Sequence, residues 1–146
     1  MEINIKKLYE DTIIPTRGSL EAAGYDLYAH IDEDKHELKP GETFMIGTGI
    51  AVEIPSGYYA AIYARSGIAS KRNLRPANCV GVIDSDYRGE IKVPLFNDSN
   101  ENQIIENKER VAQMVIMPYL NVTFNEVEKL SESNRDKGGF GSTGTK

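Results

Sequence analysis

The stretch Thr43–Ile54, TFMIGTGIAVEI, alternates apolar residues with small or polar ones. On an extended strand, one face would carry its large apolar side chains, which are Phe44, Ile46, Ile50, Val52 and Ile54. The following residues Pro55-Ser56-Gly57 are typical of a turn. Tyr58–Tyr63 then has the composition of a returning strand. A strand, a turn and a second strand at the centre of the chain favour a β protein.

The same pattern continues toward the C-terminus. Glu90–Phe96 alternates again, and Pro94 within it predicts a strand at a sheet edge or one with a bulge. Val111–Met117 is apolar on both faces, which suits a strand buried from both sides. Val122–Leu130 is predicted to be a last, weaker strand. Many short strands separated by turn residues predict an all-β sandwich, jelly roll or barrel.

Other segments lack the alternation. Ser66–Asn73 predicts one or two helical turns, whereas Asp32–Lys39 and Asn97–Lys108 are mostly polar and are interpreted as surface loops or hairpin tips. Residues 131–146 contain four glycines and a single aromatic residue, too little apolar surface to order the segment by itself. The chain is therefore predicted to comprise a β-rich domain over 1–130 and a flexible, glycine-rich C-terminal lid over 131–146.

Length and charge restrict the function classes. A chain of 146 residues suggests one domain, and its net charge of −5 argues against general binding to nucleic acid or to an anionic membrane. No apolar run reaches the roughly 18 residues of a spanning helix, and the first residues lack a secretory signal. A lone cysteine, Cys79, fits a reducing compartment and is expected to be a small core residue. We expect a cytoplasmic protein.

The segment GVIDSDYRGE, Gly81–Glu90, places Asp84 at the end of an apolar strand, with Asp86 and Tyr87 close behind. Acidic residues are common at solvated hairpin tips, and that is the more frequent explanation of such a motif. Alternatively, a carboxylate at a strand end accepts a proton from water as a general base, and the Tyr87 ring forms a flat wall for a sugar. The residues alone leave both readings open.

A second candidate is ARSGIASK, in which Arg65 ends a strand and Ser66-Gly67 opens the predicted helix. Backbone N–H groups at a helix start favour anions, the guanidinium of Arg65 suits phosphate oxygens, and Ser66 adds a hydroxyl donor. The alternative is that Ser66 is an ordinary helix cap.

In RVAQMVI, Gln113 interrupts an apolar strand. It either bonds to a neighbouring strand, as buried amides usually do, or points with Arg110 at a ligand's phosphates. The tail RDKGGFGSTGTK is either disordered or a lid that folds over a ligand, with Phe140 stacking and polar groups meeting phosphates. His30 and His36 show no metal-ligand spacing.

These segments occur in one order, after AGYDLYA at Ala23–Ala29. Each is a weak signal alone, but the five together in a mostly β sequence are specific. Over nearly its whole length the chain resembles the homotrimeric dUTP pyrophosphatase (dUTPase) family. The resemblance implies an all-β, jelly-roll-like (β-clip) subunit with one short helix and a flexible C-terminal arm. It also implies a three-fold trimer whose active sites are shared between subunits.

The resemblance further implies Mg²⁺-dependent hydrolysis of dUTP to dUMP and pyrophosphate by water attack at the α-phosphorus. This reaction limits uracil incorporation into DNA and supplies dUMP for thymidylate synthesis. Asp84 would be the catalytic base, and Tyr87 would pack against the deoxyribose and exclude a 2′-hydroxyl. The uracil edge would be read by Asn78 and by the backbone of Gly81, Val82 and Ile83. The phosphates would be held by Arg65, Ser66, Gly67 and Gln113.

In the tail, the resemblance implies that Arg135 meets the γ-phosphate, that Phe140 covers the uracil and that the arm is closed by Gly141, Ser142 and Thr143. The implied supporting residues are Asp26, Asp86 and Arg110. Mg²⁺ would be carried by the triphosphate and waters, with no direct protein ligand. Two positions depart from the family pattern, since Ala64 replaces a common proline and Ile68 a frequent leucine.

Two alternatives stay open at this stage. A dCTP deaminase shares the fold, but its chemistry needs a differently placed glutamate and a site for an exocyclic amine. A dUTPase-fold binding or regulatory module is the other, with a protein partner engaged through the polar loops Asp32–Lys39 and Asn97–Lys108.

Overall fold

The computed structural model describes residues 1–139. This part of the chain is mostly β, with one short helix, α1 (Ser66–Arg72). The strands, in chain order, are β1 (Asn4–Lys7), β2 (Thr16–Arg17), β3 (Tyr25–Tyr28), β4 (Lys35–Leu38), β5 (Thr43–Gly47), β6 (Ile50–Glu53), β7 (Tyr58–Tyr63), β8 (Leu74–Pro76), β9 (Gly81–Ile83), β10 (Lys92–Asn97), β11 (Gln103–Glu106) and β12 (Arg110–Pro118). No described helix is long and apolar enough to cross a membrane.

All strand pairs in the described chain are antiparallel. The largest sheet has the order β2-β3-β12-β7-β9, and a three-stranded sheet has the order β5-β10-β8. Two further pairs, β1 with β6 and β11 with β4, complete the fold. The predicted all-β, jelly-roll-like architecture with one short helix is confirmed.

Two apolar clusters hold the sheets together. One joins the large sheet to β6 and to the start of β10, through side chains such as Leu27, Ile62 and Val93. The other packs α1 against the smaller sheets, with Ile68 of the helix and Leu95 of β10 among its members. Because these clusters lie between sheets, the loops at the ends of the strands are left available to form a binding site.

The stretch Thr43–Ile54 forms two strands rather than one. Gly49, with φ of +68°, lies between β5 and β6 and ends the extended run. The two strands join different sheets, and β7 pairs with β12 and β9 instead of returning along β6. The predicted apolar face is nevertheless buried at four of its five positions, which are Ile46, Ile50, Val52 and Ile54.

Pro94 lies in a central strand that pairs with β5 in continuous register, so the prediction of an edge strand or a bulge is wrong. β10 runs between β5 and β8, and the carbonyl of Pro94 accepts a hydrogen bond from Ala77 N–H at 2.7 Å. In an antiparallel pair the N and O of one residue face the same neighbour. The backbone nitrogen of Pro94 therefore faces Ala77. This residue lies just beyond the end of β8, where the pairing between β8 and β10 stops.

Three other predictions are corrected. Residues 119–130 form no strand within the described chain and are exposed, because no neighbouring strand of the same subunit lies beside them. The two polar segments contain β4 and β11, which pair with each other. Cys79 is exposed, with φ of +56°, in a tight turn that Val80 N–H closes onto the carbonyl of Asn78 at 2.6 Å.

Candidate active site

The hairpin after β9 carries the predicted base. Asp84 directly follows the strand and lines a cavity of about 360 Å³ together with Val82, Ile83 and Tyr87. Its side chain is exposed, and within residues 1–139 it accepts no hydrogen bond and forms no ion pair. The carboxylate oxygens are therefore available to accept a proton from water. Asp86 is exposed nearby but does not line this cavity.

Tyr87 is held by its own hydroxyl group. The phenol donates a hydrogen bond to the backbone carbonyl of Glu90 at 3.0 Å, while the residue is 44% exposed. A β-carbon on Gly89 would lie 2.4 Å from this hydroxyl oxygen, so only glycine permits the contact. The ring is consequently oriented while the residue stays nearly half exposed, so it remains accessible to a ligand.

The predicted uracil-reading segment lies beside this cavity. Asn78 is exposed in the turn between β8 and β9. Gly81 and Val82 lie on β9 opposite Ile62 and Ala61 of β7. The structure thus brings the predicted base Asp84, the predicted sugar wall Tyr87 and this segment into one hairpin.

A second pocket, of about 210 Å³, collects the predicted phosphate-binding side chains. Asp26 is at its centre: Oδ1 accepts a hydrogen bond from Arg65 Nε at 2.7 Å, and Oδ2 accepts one from Arg110 Nη1 at 3.2 Å. Asp26 is only 12% exposed at its side chain. One buried carboxylate between two arginines leaves a local excess of one positive charge in an otherwise acidic protein.

Gln113 joins the same pocket from β12. Its Nε2 donates to the carbonyl of Ala64 at 2.9 Å, so the bond to a neighbouring strand that the sequence suggested is present. Its Oε1 would lie 2.3 Å from a β-carbon at Gly24, so this glycine makes room for the amide. Gln113 lines the pocket, and within residues 1–139 its second Nε2 hydrogen makes no hydrogen bond.

Ser66 and Gly67 are the first residues of α1 and are exposed in this pocket. Arg65 occupies the N-cap position, and no side chain caps this helix. The alternative of Ser66 as an ordinary cap is therefore wrong, and Ser66 lines the same pocket as Arg65 and Gln113.

The two pockets share no lining residue and lie apart in one chain. Ala60 pairs with Ile83, so Asp84 extends past Tyr59 of β7, whereas Arg65 follows the other end of that strand. Six residues of extended chain separate those positions, which corresponds to about 20 Å. The phosphate chain of one nucleotide is much shorter than this.

The tail contributes little to either pocket in the described part. Arg135 is exposed, and its Nε donates to the carbonyl of Gly138 at 2.9 Å, a contact within the tail itself. The other predicted tail residues, Phe140, Gly141, Ser142 and Thr143, lie outside the described residues.

Some pocket residues were not predicted. Met45 and Lys92 line the Asp84 cavity, and Gly24 admits Gln113 to the other pocket. Met45 and Lys92 are outward-facing positions on paired strands, and no local signal distinguishes them from ordinary surface residues. Gly24 lies in AGYDLYA, where its proximity to Asp26 was the available clue.

The donor groups suit a metal ion carried by a ligand rather than one caged by protein. In residues 1–139, no three His, Cys, Asp or Glu side chains gather to hold a metal. Each oxygen of Asp26 already accepts a hydrogen bond from an arginine. Remaining lone pairs on Asp26 can accept from metal-bound waters, which fits Mg²⁺ held by phosphate oxygens and waters.

Comparisons with known proteins agree in family and fold. A family model described as dUTPase matches residues 10–144. The chain is 51% identical to the deoxyuridine 5′-triphosphate nucleotidohydrolase of Nautilia profundicola over 144 residues, covering 99% of each chain. It is 47% identical over 146 residues to the enzyme of the same name from a Hydrogenobaculum species, covering 100% of both.

A solved structure of similar fold is the Staphylococcus bacteriophage 80alpha dUTPase, as a G164S mutant with dUpNHpp. The TM-score is 0.86 at 30% sequence identity, with 98% of each chain covered. Sequence and fold thus point to the same group of proteins along the whole chain.

Proposed function

The chain belongs to the dUTPase family and hydrolyses dUTP to dUMP and pyrophosphate, and we propose that Asp84 of one subunit acts there with the phosphate pocket of another. The observation that carries this proposal is the separation of two complementary half-sites within one chain. One holds a base and a sugar wall, and the other holds cations and amide donors. A complete site needs both within the length of one nucleotide.

The reaction is a displacement at phosphorus. Asp84 accepts a proton from a water molecule, whose oxygen bonds to the α-phosphorus while the bond to the α–β bridging oxygen breaks and pyrophosphate leaves. General-base assistance of this kind contributes about 10²–10⁴ in rate. The rest of the catalysis comes from positioning and charge neutralisation.

The phosphate pocket neutralises and orients the triphosphate. Arg65 and Arg110 supply positive charge, Gln113 offers its second Nε2 hydrogen, and the Ser66 hydroxyl lies at the pocket wall. Gly67 lets the chain of α1 approach the phosphates without a side chain. Mg²⁺, when bound to the triphosphate, would neutralise phosphate charge, with Asp26 accepting from its waters. The assignment of these residues to the phosphates follows the family resemblance.

The uracil and the sugar bind at the hairpin. Asn78 and the backbone of Gly81–Ile83 read the edge of the base, and Asp86 supports the hairpin. Tyr87 forms the wall beside the deoxyribose, a role supported by the hydrogen bond that orients its ring and by its 44% exposure.

Tyr87→Ala is expected to lower the ratio of kcat/KM for dUTP to kcat/KM for UTP, because the ring that excludes a 2′-hydroxyl is gone. We expect a fall of about tenfold, the scale of losing one packed steric contact. Steady-state rates on both nucleotides measure it. Tyr9→Ala, which removes another exposed tyrosine outside both pockets and outside the apolar segment 119–130, serves as the control. An unchanged ratio with reduced overall activity would assign Tyr87 a structural role only.

A homotrimer with shared sites accounts for two apolar surfaces. The segment 119–130 exposes large side chains, with Leu120 at 87% and Phe124 at 93%. A separate groove of about 370 Å³ is lined mainly by apolar residues of the N-terminal segment, β3 and β12, among them Ile3, Ile14 and Ile116. Apolar surfaces of this kind mark interfaces. The segment of one subunit packs in the groove of the next.

The tail completes the site as a lid. Arg135 meets the γ-phosphate, Phe140 covers the uracil, and Gly141, Ser142 and Thr143 close the arm over the ligand. Support comes from the described part of the tail, whose hydrogen bonds are local and whose side chains are exposed. Such a segment is free to order on a ligand of a neighbouring subunit.

Deleting residues 134–146 is expected to reduce kcat/KM for dUTP by at least about tenfold, because stacking and phosphate contacts are lost. Thermal stability and assembly should change little, with the melting temperature within about 2 °C, since the described part of the removed segment, residues 134–139, contributes no core side chain. Steady-state kinetics, calorimetry and native mass spectrometry measure the three quantities. A large loss of stability would show that the tail is part of the folded body.

Product analysis tests the function against its alternatives. The protein should release pyrophosphate from dUTP much faster than from dCTP, dTTP or UTP, and removal of Mg²⁺ should slow the reaction. Ammonia release from dCTP would instead indicate a deaminase, and absence of both reactions a binding module. In the cell, such an enzyme acts in the cytoplasm, where it limits uracil in DNA and supplies dUMP. A regulatory protein partner would bind at the exposed β4–β11 region.

A further inference from the structure

The short helix α1 is tied at both ends to one dipeptide, Glu109-Arg110, where β12 begins. At its start, Arg65 Nη1 donates to the carbonyl of Arg110 at 3.4 Å, and the two arginines share Asp26. At its end, Arg72 Nη1 donates to the carboxylate of Glu109. The helix that carries Ser66 and Gly67 is thus held by Arg65 at its start and by Arg72 at its end. Both arginines contact Glu109-Arg110 at the start of β12.

Arg72 makes an unusually complete set of contacts. Its Nε donates to Gln103 Oε1 at 3.0 Å, Nη1 donates to Glu109, and Nη2 donates to the carbonyl of Ile104. Both charged side chains are about three-quarters buried, with 27% and 26% exposure. Glu109 is itself fixed, because Oε2 accepts from the backbone N–H of Glu106 at 3.1 Å. A planar guanidinium with three fixed partners allows one geometry, whereas a lysine allows several.

Little else fixes the orientation of this helix. It has seven residues, of which only Ile68 is buried, and helices this short are not stable by themselves. β8 follows at Leu74, which is fully buried and anchors the chain beyond the helix. That anchor fixes where the helix ends, and Ile68 in the core cluster sets which face of the helix meets the sheets. The contacts of Arg65 and Arg72 hold the two ends of the helix in place.

We propose that Arg72, through its ion pair with Glu109, is a positioning residue for triphosphate binding. It holds α1 so that Arg65, Ser66 and Gly67 face the phosphates. Arg72 does not line the phosphate pocket and so acts only through the helix. This inference rests on the proposed function, because it assumes that this pocket receives the phosphates of dUTP.

The experiment compares two ligands that share base and sugar but differ in phosphates. In Arg72→Ala, the Kd for the imido analogue dUpNHpp should rise about tenfold, as expected for losing one set of charge-assisted contacts. The Kd for dUMP, which lacks the two terminal phosphates, should stay within about twofold. Arg72→Lys should fall between Arg72→Ala and the unaltered protein. Isothermal titration calorimetry measures both constants.

Lys108→Ala is the matched control. Lys108 is next to Glu109 in the chain and pairs with Asp11 at 3.1 Å, but it does not contact α1. Its hydrogen bond, together with that of His30, holds the pKa of the Asp11 carboxyl below its usual range. Removing it takes away a more exposed ion pair from the same turn without touching α1, so neither Kd should change.

The pairing is tested by a double-mutant cycle. If Arg72 and Glu109 act as one clamp, then Arg72→Ala/Glu109→Ala should bind dUpNHpp as weakly as the weaker single variant and no more weakly. Unchanged dUpNHpp binding in a folded Arg72→Ala protein, an equal loss for both ligands, or additive losses would overturn the proposal. Should Arg72→Ala fail to fold, the ligand ratio of Arg72→Lys decides in its place. Turnover of dUTP by the unaltered protein, measured in parallel, tests the proposed function separately.

Discussion

Asp84→Asn is expected to lower kcat for dUTP by about 100-fold or more, because the amide keeps the shape of the side chain but cannot accept the proton of the attacking water. Binding should be kept: the Kd for dUpNHpp should stay within about threefold, since the phosphate contacts lie in the other pocket. Single-turnover kinetics and calorimetry measure the two effects separately.

Asp86→Asn provides the matched control. This residue is an exposed carboxylate in the same hairpin, but it does not line the Asp84 cavity. The same chemical change two residues away should therefore cost less than about tenfold in kcat. Near-normal turnover by Asp84→Asn, or an equal loss in both variants, would contradict the assignment of Asp84 as the base.

Mixing two inactive variants is expected to restore activity. Asp84→Asn subunits keep the phosphate pocket, and Arg65→Ala subunits keep the base. If each site takes Asp84 and Arg65 from different subunits of a symmetric oligomer, random mixing in equal amounts leaves roughly one quarter of the sites with both residues intact. The activity per site should recover to about that fraction of the unaltered enzyme, far above either parent.

The control mixture combines Asp84→Asn with an Asp84→Asn/Arg65→Ala double variant. No site in that mixture has a working base, so the activity should stay at the level of Asp84→Asn. Subunits are exchanged by unfolding and refolding together, and native mass spectrometry verifies that mixed oligomers have formed. Verified mixed oligomers as inactive as their parents would show that both residues act within one subunit.

Much of the local structure followed from local pattern. The alternation of apolar and polar residues predicted that Ile46, Ile50 and Val52 are buried, because alternation indicates which face of a strand points inward. The absence of this alternation predicted the helix α1. The grouping of Asp84 and Tyr87 at one cavity was equally predictable, since these residues are close in the chain and one turn brings them together.

Strand pairing could not be predicted from the sequence in the same way. Nothing near Pro94 indicates that β10 is central, because the position of the missing hydrogen bond depends on where β8 ends. Nor does Cys79 reveal that it occupies an exposed turn instead of a core strand. The side-chain pattern of a strand indicates which of its residues are buried. The neighbour with which the strand pairs depends on backbone that is distant in the sequence.

The sequence by itself determined the fold class, the helix and the set of residue types that the chemistry needs. Only the tertiary structure decided how these residues are grouped. Asp26 lies 39 positions from Arg65 and 84 from Arg110, yet one buried carboxylate joins them. The same folding holds Asp84 about 20 Å from that cluster, because strand β7 runs between them. Contacts and separations of this range arise from packing between sheets, which no local pattern of residues encodes.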